Sequence, residues 1–430
     1  MNKLVQKGVL SQQEAAELSK DSAKEEEKKF DKQYARKTGL PPWVTSFKWS
    51  GDFRGRYEEH NAEDADFHVR DRYRIRARLG AYIGFVDHFD VGIRLATGNP
   101  QTNPGGTLVG GQPITANQDL NSLESRKFLW VDAAYARWTP YSNNVWYASA
   151  IIGKMDNPFQ LSNMTWDYDV DPEGGAIKLA HGFGEHHTVT GTGAFYVLDE
   201  LNQSNSDGAP ASHDPYIAGG QLLLESKWTP QIESSLGVAM FAINSHDALS
   251  AKTQPFYNAG NTRDSKTFAL KYDFNPVIGT ASFTYKLDNF PGYDGPFPIR
   301  PMGELMANPG APKNNIGYRA GLYLGKAGKK GNWEVGYRYQ RLEADAWLDA
   351  LTDDDNTAFF AKGSPQMVGT GKAEGIFGGT NVKGHWIGAT YSFTDFLNAS
   401  TWFYLNDTII NAPGKSGDAE HFMAELNFRF

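Results

Sequence analysis

The chain has 430 residues, of which 40% are hydrophobic, 13% aromatic and 21% charged, with 45 glycines and no cysteine. The absence of cysteine excludes disulfides, thiolate metal sites and c-type haem attachment, and a formal net charge of -8 gives no basic surface for nucleic acid. There is no run of 18 or more apolar residues and the mean hydropathy is -0.51, so a hydropathy scan alone would classify the protein as soluble. A transmembrane β-barrel escapes such a scan, because only every second residue of its strands is apolar.

Residues 1–45 differ from the rest of the chain. Ser11 and Glu14 have the spacing of a capping box, in which each side chain bonds the other's backbone amide, and a highly charged helical segment follows. The sequence therefore predicts a short N-terminal helical leader over 1–45 and a barrel domain over 46–430. Two roles for the leader stay open: a solvated periplasmic segment, or a segment that mediates self-association or occludes the barrel.

Alternation of polar and apolar residues begins in full at RYRIRARL, residues 72–79. A strand, with its period of two, places Arg72, Arg74, Arg76 and Arg78 on one face and the apolar residues between them on the other. The same alternation of polar and apolar residues recurs in KTFALKYDF (266–274), ASFTYKLDN (281–289), NWEVGYRYQ (332–340) and HFMAELNFRF (421–430). This pattern predicts strands with one wet and one apolar face.

Sixteen such strands are predicted. KFLWVDAAYARW, within the fourth, is ambiguous because Asp132 and Arg137 fall on opposite faces. The predicted ranges are 49–61, 72–85, 88–98, 127–139, 144–155, 174–183, 187–200, 215–228, 233–245, 264–275, 279–289, 315–326, 332–344, 384–394, 397–410 and 419–430.

The connections between these strands alternate in length. Short links such as VDH, TPYSNN and NPVI take turns with long ones near 99–126, 156–173, 246–263, 290–314 and 345–383. Outer-membrane barrels have short periplasmic turns and longer outer loops, so both chain ends are expected on the periplasmic side. A soluble sandwich or propeller is the alternative, but it would turn its aromatic residues inward and would not need charged residues on nearly every inner face.

Several stretches resemble a known family. GKMDNPFQLSNMTWDYDVDPEGGAI (153–177), FGGTNVKGHWIGATYSFTDFL (377–397), LVQKGVLSQQEAAEL (4–18) and the terminal Phe430 are similar to the bacterial putative-porin family of outer-membrane β-barrels. The resemblance covers nearly the whole chain. It implies an outer-membrane channel, and it implies that the C-terminal aromatic residues Phe428 and Phe430 are the signal recognised by barrel-insertion machinery. It does not identify a solute.

A basic wall is expected inside the barrel. An arginine that faced lipid near the midplane would cost about 2–4 kcal/mol, so a row of arginines on one strand must face water. The pore-lining residues of this wall are Arg54, Arg56, Arg72, Arg74, Arg76, Arg78 and Arg94.

Acidic residues opposite this wall are expected in the loop 156–173. The constriction-loop acids are Asp156, Asp167, Asp169, Asp171 and Glu173. In one hypothesis the loop folds inward and sets its carboxylates across from the arginines, forming a narrow eyelet with a transverse field that orients dipolar solutes. In the alternative the loop lies outside, and the arginines pair with carboxylates of neighbouring strands.

The sequence has two further acidic features. Asp167, Asp169 and Asp171 have the first spacings of an EF-hand, but Pro172 replaces the required glycine and Lys178 the twelfth ligand, so calcium is only a weak possibility there. No other metal or cofactor is expected. Asp353, Asp354 and Asp355 lie in another long loop and are expected to form a solvated tip, or to bridge lipopolysaccharide through divalent ions.

The sequence thus predicts an all-β protein: a transmembrane antiparallel barrel of about sixteen strands in the bacterial outer membrane, with its leader in the periplasm. Sixteen strands leave a water-filled channel, and passive diffusion of small hydrophilic solutes and ions is the expected function. There are two alternatives. The first is a solute-specific channel for anions or sugars, with tryptophans such as Trp166 in its binding sites. The second is a structural tether or adhesin with a closed pore.

No motif supports an enzyme. The expected partners are the lipid bilayer, lipopolysaccharide, barrel-insertion machinery and two further copies in a homotrimer, but no nucleic acid.

Overall fold

A computed structural model describes residues 39–63, 68–102, 106–143, 145–200, 214–250, 258–367 and 374–430. In these ranges, sixteen antiparallel strands form one sheet that closes on itself. The strands are β1 (Val44–Ala62), β2 (Arg70–Phe85), β3 (Phe89–Thr97), β4 (Leu129–Ser142), β5 (Trp146–Lys154), β6 (Glu173–Phe183), β7 (His187–Val197), β8 (Tyr216–Lys227), β9 (Ile232–Asn244), β10 (Val277–Leu287), β11 (Phe297–Ala307), β12 (Ile316–Gly325), β13 (Trp333–Leu342), β14 (Val382–Ser392), β15 (Leu397–Thr408) and β16 (Ala419–Arg429).

The barrel closes where the first strand meets the last. Residues 52–62 of β1 pair with residues 419–429 of β16, while the other edge of β1 pairs with β2. Closure pairs the first strand with the last, and paired strand edges are the condition for a sheet to exist in hydrocarbon. The N–H of Phe430 donates to the carbonyl of Gly51, and the N–H of Gly51 donates to the carbonyl of Phe430, so the last residue of the chain is part of this seam.

Several short elements lie in the connections between the barrel strands. The two-residue strand Gln118–Asp119 extends the sheet beside Arg74 and Ile75 of β2. Two small hairpins and four 3₁₀ turns lie in the long connections and in one short turn. The hairpins pair Pro100–Thr102 with Leu108–Gly111 and Ala358–Phe360 with Gly375–Phe377, and the turns are Val86–His88, His246–Ala248, Asp349–Leu351 and Pro365–Met367.

The outer surface of the barrel is apolar. Ile152, Leu222 and Leu236 are among many large aliphatic side chains exposed there, and aromatic residues gather near the short turns. Exposed aromatic residues of that end include Trp43, Phe89, Trp138, Trp146, Phe183, Trp228, Phe393, Phe396 and Phe430. An apolar band with an aromatic border is the surface that a bilayer requires, whereas a soluble sandwich or propeller would bury it. Among the described residues, no helix has the length and apolar character needed to cross a membrane.

One predicted strand is wrong and one real strand was missed. Residues 264–275 do not join the barrel: they form turns and isolated bridges such as Arg263 with Leu270. Instead β11 (297–307) is a full barrel strand inside the range 290–314 that was expected to be a long loop. The connection 288–296 is therefore a turn at the short-turn end, and the NPVI link (275–278) lies at the end of the long loops. The total of sixteen is correct because the two errors cancel.

A β-bulge resolves the ambiguity in the fourth strand. Arg94 pairs with Ala133 and Leu95 pairs with Val131, so Asp132 is an extra residue on β4. A bulge of this kind shifts the face on which later side chains lie. Both Asp132 and Arg137 consequently face the lumen, where they pair with Arg94 and Asp90.

The predicted leader lies almost entirely outside the described residues, which begin at Gly39. Residues 44 and 45, assigned to the leader from the sequence, belong to β1. The helix expected around Ser11 stays a prediction.

The revised strand assignment can be tested with two arginine substitutions. Leu305 lies on the exposed outer face of β11, so Leu305→Arg should lower the free energy of unfolding by about 1–3 kcal/mol in lipid vesicles. Tyr272 lies in a connection, so Tyr272→Arg should change it by less than about 0.5 kcal/mol. Urea-induced unfolding of both variants gives the comparison. The opposite order of effects would restore 264–275 as the lipid-facing strand.

Candidate functional site: the barrel lumen

Arginines of β1 and β2 face each other across the inner wall. Arg54 stands opposite Arg76, and Arg56 stands opposite Arg74. Arg56, Arg74 and Arg76 are only 6%, 2% and 6% exposed. Like charges directly opposite one another in a sheet repel, and a buried unpaired charge is more costly still, so these residues need carboxylate partners.

The neighbouring strands supply the first set of partners. Glu58, fully buried, accepts hydrogen bonds or ion pairs from Arg56 at 3.0 Å, Arg72 at 2.5 Å and Arg74 at 3.1 Å. Glu425 of β16 lies 2.5 Å from Arg56 and 3.4 Å from Arg54. The remaining strand partners are Asp52 for Arg76 and Arg78, Asp119 for Arg74, and Asp132 for Arg94.

The loop 155–172 supplies the second set, because it enters the lumen. Asp156 and Asp171 lie 2.6 and 2.5 Å from Arg94, and Asp169 lies 3.6 Å from Arg76 and 3.8 Å from Arg78. The loop carboxylates therefore contact the arginines directly, with no open gap between two charged walls. The geometry combines the two sequence-based hypotheses, since loop acids and strand acids share the same arginines.

Two of the five predicted loop acids lie elsewhere. Glu173 is exposed at the start of β6 and pairs with Lys154 at 3.0 Å. Asp167 is buried, and its carboxylate accepts hydrogen bonds from the backbone amides of Asp169 and Asp354. The structure thus brings Asp156, Asp169 and Asp171 to the basic wall and directs Asp167 toward a second loop.

The loop 155–172 also crosses to the opposite wall. The backbone amide of Gln160 donates to Gln221 of β8 at 2.9 Å. Ser162 and Thr165 donate to Glu304 of β11 at 2.8 and 2.6 Å. The loop is held at both sides of the lumen and spans the channel.

A second connection, described over 343–367 and 374–381, places residues in the lumen beside it. Asp353 accepts a hydrogen bond from Arg338 of β13 at 3.2 Å, and Asp355 accepts one from Arg56 at 3.2 Å. The expectation that Asp353, Asp354 and Asp355 form a solvated tip is wrong, because Asp353 is buried. Arg338 lay on the inner face of its predicted strand and could have suggested this partner. Glu304 could not have been found, because its strand was not predicted.

Asp167, Asp353 and Asp354 form an acidic cluster between the two loops. One oxygen from each carboxylate lies within 4.8 Å of the others. Burial and the neighbouring Asp354 carboxylate raise the pKa of Asp167 well above its usual range, burial raises the pKa of Asp353 to about 6, and burial together with Asp355 raises the pKa of Asp354. The loops are therefore joined at a point that binds protons more tightly than isolated carboxylates do.

The three residues considered for calcium are not brought together. Asp169 pairs with arginines of β2 and Asp171 with Arg94, while Asp167 joins Asp353 and Asp354. Divalent hard cations need several oxygen ligands around one point. The EF-hand-like spacing in the sequence does not produce that arrangement.

Glu58, His60 and His421 form another cluster of potential ligands, within 4.8 Å of one another. The two imidazoles stack across the seam of the barrel with ring centres 3.9 Å apart. Glu58 is held by three arginines, and one of them, Arg72, also lies 2.9 Å from Nε2 of His60. These guanidinium groups occupy the space that a cation would need, so the cluster is better described as part of the ion-pair network.

The half of the lumen opposite the arginines contains the main apolar cluster of the described residues. Trp166 and Met164 of the first loop pack with Trp347 of the second against inner side chains of β7 to β11, including Tyr196 and Phe241. Trp166 is only 3% exposed and its indole nitrogen donates to the carbonyl of Val170. The suggestion that Trp166 contacts solute is not supported by this burial. The passage for solutes is displaced toward the basic wall.

An aromatic row lies beside that wall. Tyr323, Trp386 and Trp402 extend inward from β12, β14 and β15, and their rings cover Gly336 and Gly388 of the strands between them. A β-carbon at either glycine would overlap with two of these rings. The guanidinium of Arg338 lies 4.8 Å from the ring centre of Trp386, and that of Arg56 lies 5.9 Å from that of Trp402.

A cavity of about 740 Å³ opens between the basic wall and Trp402 toward the short-turn end. Its lining includes six cationic and three acidic side chains. The cations are Arg54, Arg76, Arg78, Arg94, Lys326 and Arg429, and the acids are Asp52, Glu334 and Glu425.

Comparison with known proteins agrees with this architecture. A family model described as "Putative porin" matches residues 67–275 and 304–430, well over half of the chain. The chain belongs to the putative porin family. It is an outer-membrane porin whose channel serves passive diffusion.

One solved structure shares the fold of this porin. Pseudomonas putida OprB, in a high-pH structure, superposes with a TM-score of 0.52 at 9% identity, over 89% of this chain and 94% of that one. At this identity the likeness concerns the fold alone. A triple mutant of the Rhodopseudomonas blastica porin gives a TM-score of 0.41 at 10% identity, over 89% of this chain and all of the other. No curated protein gives a match.

Breaking the ion pair between Arg338 of the barrel wall and Asp353 of the second loop should lower the free energy of unfolding. Arg338→Met leaves Asp353 buried without its partner, which should reduce stability by about 3–5 kcal/mol. Arg341→Met is the matched control, since Arg341 pairs with Glu343 at a partly exposed site and should cost under about 1 kcal/mol. Unfolding in lipid vesicles measures both, and equal effects would show that the loop is not held by this pair.

The contact between the two loops should weaken as pH rises. The carboxyl groups of Asp167, Asp353 and Asp354 have raised pKa values in the folded loops, so the protonated form is favoured by the contact and stability is lost as pH rises through about 6. Limited proteolysis of the loop 343–381 should be slower at pH 5 than at pH 8. Asp354→Asn should reduce the difference between the two pH values, and an undiminished difference would contradict this origin.

Proposed function

We propose that this porin prefers small anions, and that the basic wall sets the preference. The observation that supports it is the excess of cationic over acidic groups lining the 740 Å³ cavity. A charged cleft with low-dielectric walls focuses its field on the passing solute. The net charge of the whole chain, -8, is distributed mostly outside this cavity and does not set its sign.

The loop 155–172 acts in this proposal as the constriction. It crosses the lumen, and Asp156, Asp169 and Asp171 hold it against the basic wall. Solutes pass on the side of the arginines, because the other side is filled by the packed side chains of both loops. Selectivity then follows from the width of this passage and from the unpaired guanidinium nitrogens along it.

A structural tether with a closed pore is the second candidate, and the two loops packed inside the lumen favour it. A sugar-specific channel is a third, which saturable sugar flux would support. We propose no catalytic role, because most arginines of the lumen are held in ion pairs with carboxylates. An assay for lipase or protease activity tests this.

We further propose a homotrimer, and a feature of the outer wall supports this proposal. A groove of about 910 Å³ crosses β1, β2 and β13 to β16, where small residues such as Gly55, Ala389 and Ala424 are bordered by Phe53 and Tyr391. A second copy of the barrel could bury this face. The rest of the outer wall would contact lipid and, at the long-loop rim, lipopolysaccharide.

The chain ends have their own proposed roles. Phe428 and the exposed Phe430 would be the residues that barrel-insertion machinery recognises. The leader would lie in the periplasm, since β1 begins at the end of the barrel that carries the short turns.

Reversal potentials test the anion preference. In a planar bilayer under a KCl gradient, the wild-type channel should give a reversal potential of the sign expected for chloride preference. The double variant Arg54→Gln/Arg78→Gln removes two charges from the cavity and should shift the potential toward potassium. Lys383→Gln is the control, because Lys383 lies on the outer face paired with Asp407. A potassium-selective wild type would contradict the proposal, and inserted protein without openings would favour the tether.

A further inference from the structure

The cavity beside the basic wall has an aromatic side. Trp402 lines it together with Arg54, Arg76 and Arg78. We propose that this cavity is a binding subsite for a small aromatic carboxylate, whose ring packs against Trp402 and whose carboxylate is held by the arginines. The inference rests on the proposed anion preference and names the class of anion.

Trp402 is placed for this role by its neighbours. It stands directly opposite Gly388 on one side and Met423 on the other. Because Gly388 has no side chain, the indole can occupy part of the space over β14, next to the ring of Trp386. Trp402 stays partly exposed, whereas Trp386 in the same row is buried. It is the member of the row that faces the cavity.

The polar neighbours of Trp402 argue against a neutral sugar. The hydroxyls of Thr390 and Ser400 bond to each other at 2.9 Å. Asn427 accepts a hydrogen bond from Arg54 at 2.9 Å and donates one to Asn398 at 3.3 Å. These four side chains and Arg54 bond to one another, which leaves fewer of their donors and acceptors for the several hydroxyls of a sugar.

The arginines, by contrast, keep donors for a ligand. Arg54 uses its Nε on Asn427 and its Nη1 on Glu425. Arg78 uses its Nε on Asp52 and approaches Asp169 with its Nη1. Within the described part of the chain, Nη2 of neither residue donates a hydrogen bond. Guanidinium donors of this kind match a carboxylate well.

Size and chemistry then select the ligand. A cavity of about 740 Å³ is within the range of small-molecule sites, which combine apolar surface with a few placed polar groups. An inorganic anion would use the arginines and leave Trp402 unused. A monocyclic carboxylate uses both, since aromatic rings gain from packing against each other beyond the area that they bury.

The test is block of single-channel KCl current by benzoate. Acetate, which lacks the ring, and benzyl alcohol, which lacks the charge, are the comparison probes. Benzoate should reduce the current saturably, with a half-blocking concentration about tenfold below that of acetate, and benzyl alcohol should have little effect. Equal block by benzoate and acetate in the wild type would overturn the proposal without any mutation.

Three variants locate the subsite. Trp402→Leu should raise the half-blocking concentration of benzoate about five- to tenfold and leave that of acetate unchanged. Trp402→Phe keeps a ring and should retain most of the benzoate block, which guards against a fold defect. Trp138→Leu, on the exposed outer face, is the matched control. Unchanged benzoate block in Trp402→Leu would place the binding elsewhere and overturn the assignment.

The KCl reversal potential of the same channels separates two failures. Chloride preference together with equal block by benzoate and acetate would refute the subsite alone. Potassium preference would refute the anion channel and the subsite with it.

Discussion

An arginine side chain inside a membrane protein must face water or a carboxylate, and the rest of this structure depends on that constraint. Placing Arg72, Arg74, Arg76 and Arg78 on one strand fixes which face of β2 is the lumen. Because Arg54 and Arg56 stand directly opposite Arg76 and Arg74, the neighbouring strands and loops must bring acids to the same place. Asp52, Glu58 and Glu425 do so from the wall, and Asp169 and Asp171 do so from the loop 155–172. The ion pairs of the wall therefore also position the loop.

The same constraint explains what could be predicted from the sequence. Strands with alternating charge and apolar residues were located correctly along most of the chain, because lipid and water impose opposite requirements on the two faces. The segment 264–275 has the same alternation and is not a strand. Phe268 has a backbone φ of 62° that interrupts an extended chain, and Leu270 and Phe274 are buried in the core of the inserted loops. A period of two shows which residues avoid water, but it does not tell lipid from a protein core.

The prediction missed strand β11 for the opposite reason. Its sequence contains Pro298, Pro301 and Gly303, which ordinarily argue against a barrel strand. Pairing with β10 is interrupted around Pro301, between the pairs of Met302 with Ser282 and Ile299 with Tyr285. Pairing with β12 is continuous over the same residues. One regular neighbour is enough to keep the strand in the barrel, and that compensation is invisible in the sequence.

Of the partners of the inserted loops, Arg338 for Asp353 lies on the strand just before the loop and could have been inferred, whereas Arg56 for Asp355 lies on β1, far away in the chain. The ion pairs around the constriction differ in how deeply they are buried, and therefore in how strongly salt screens them. Asp156 is mostly exposed, so salt screens its pair with Arg94, while the pair of Arg56 with Glu425 is almost fully buried and is screened much less. On the opposite side Trp166 and Trp347 hold the loops by apolar contact, which salt does not weaken. High ionic strength should therefore loosen the edge of the loop nearest Arg94 first and leave its attachment to the far wall intact, so that the passage widens along the basic wall, where solutes are expected to move.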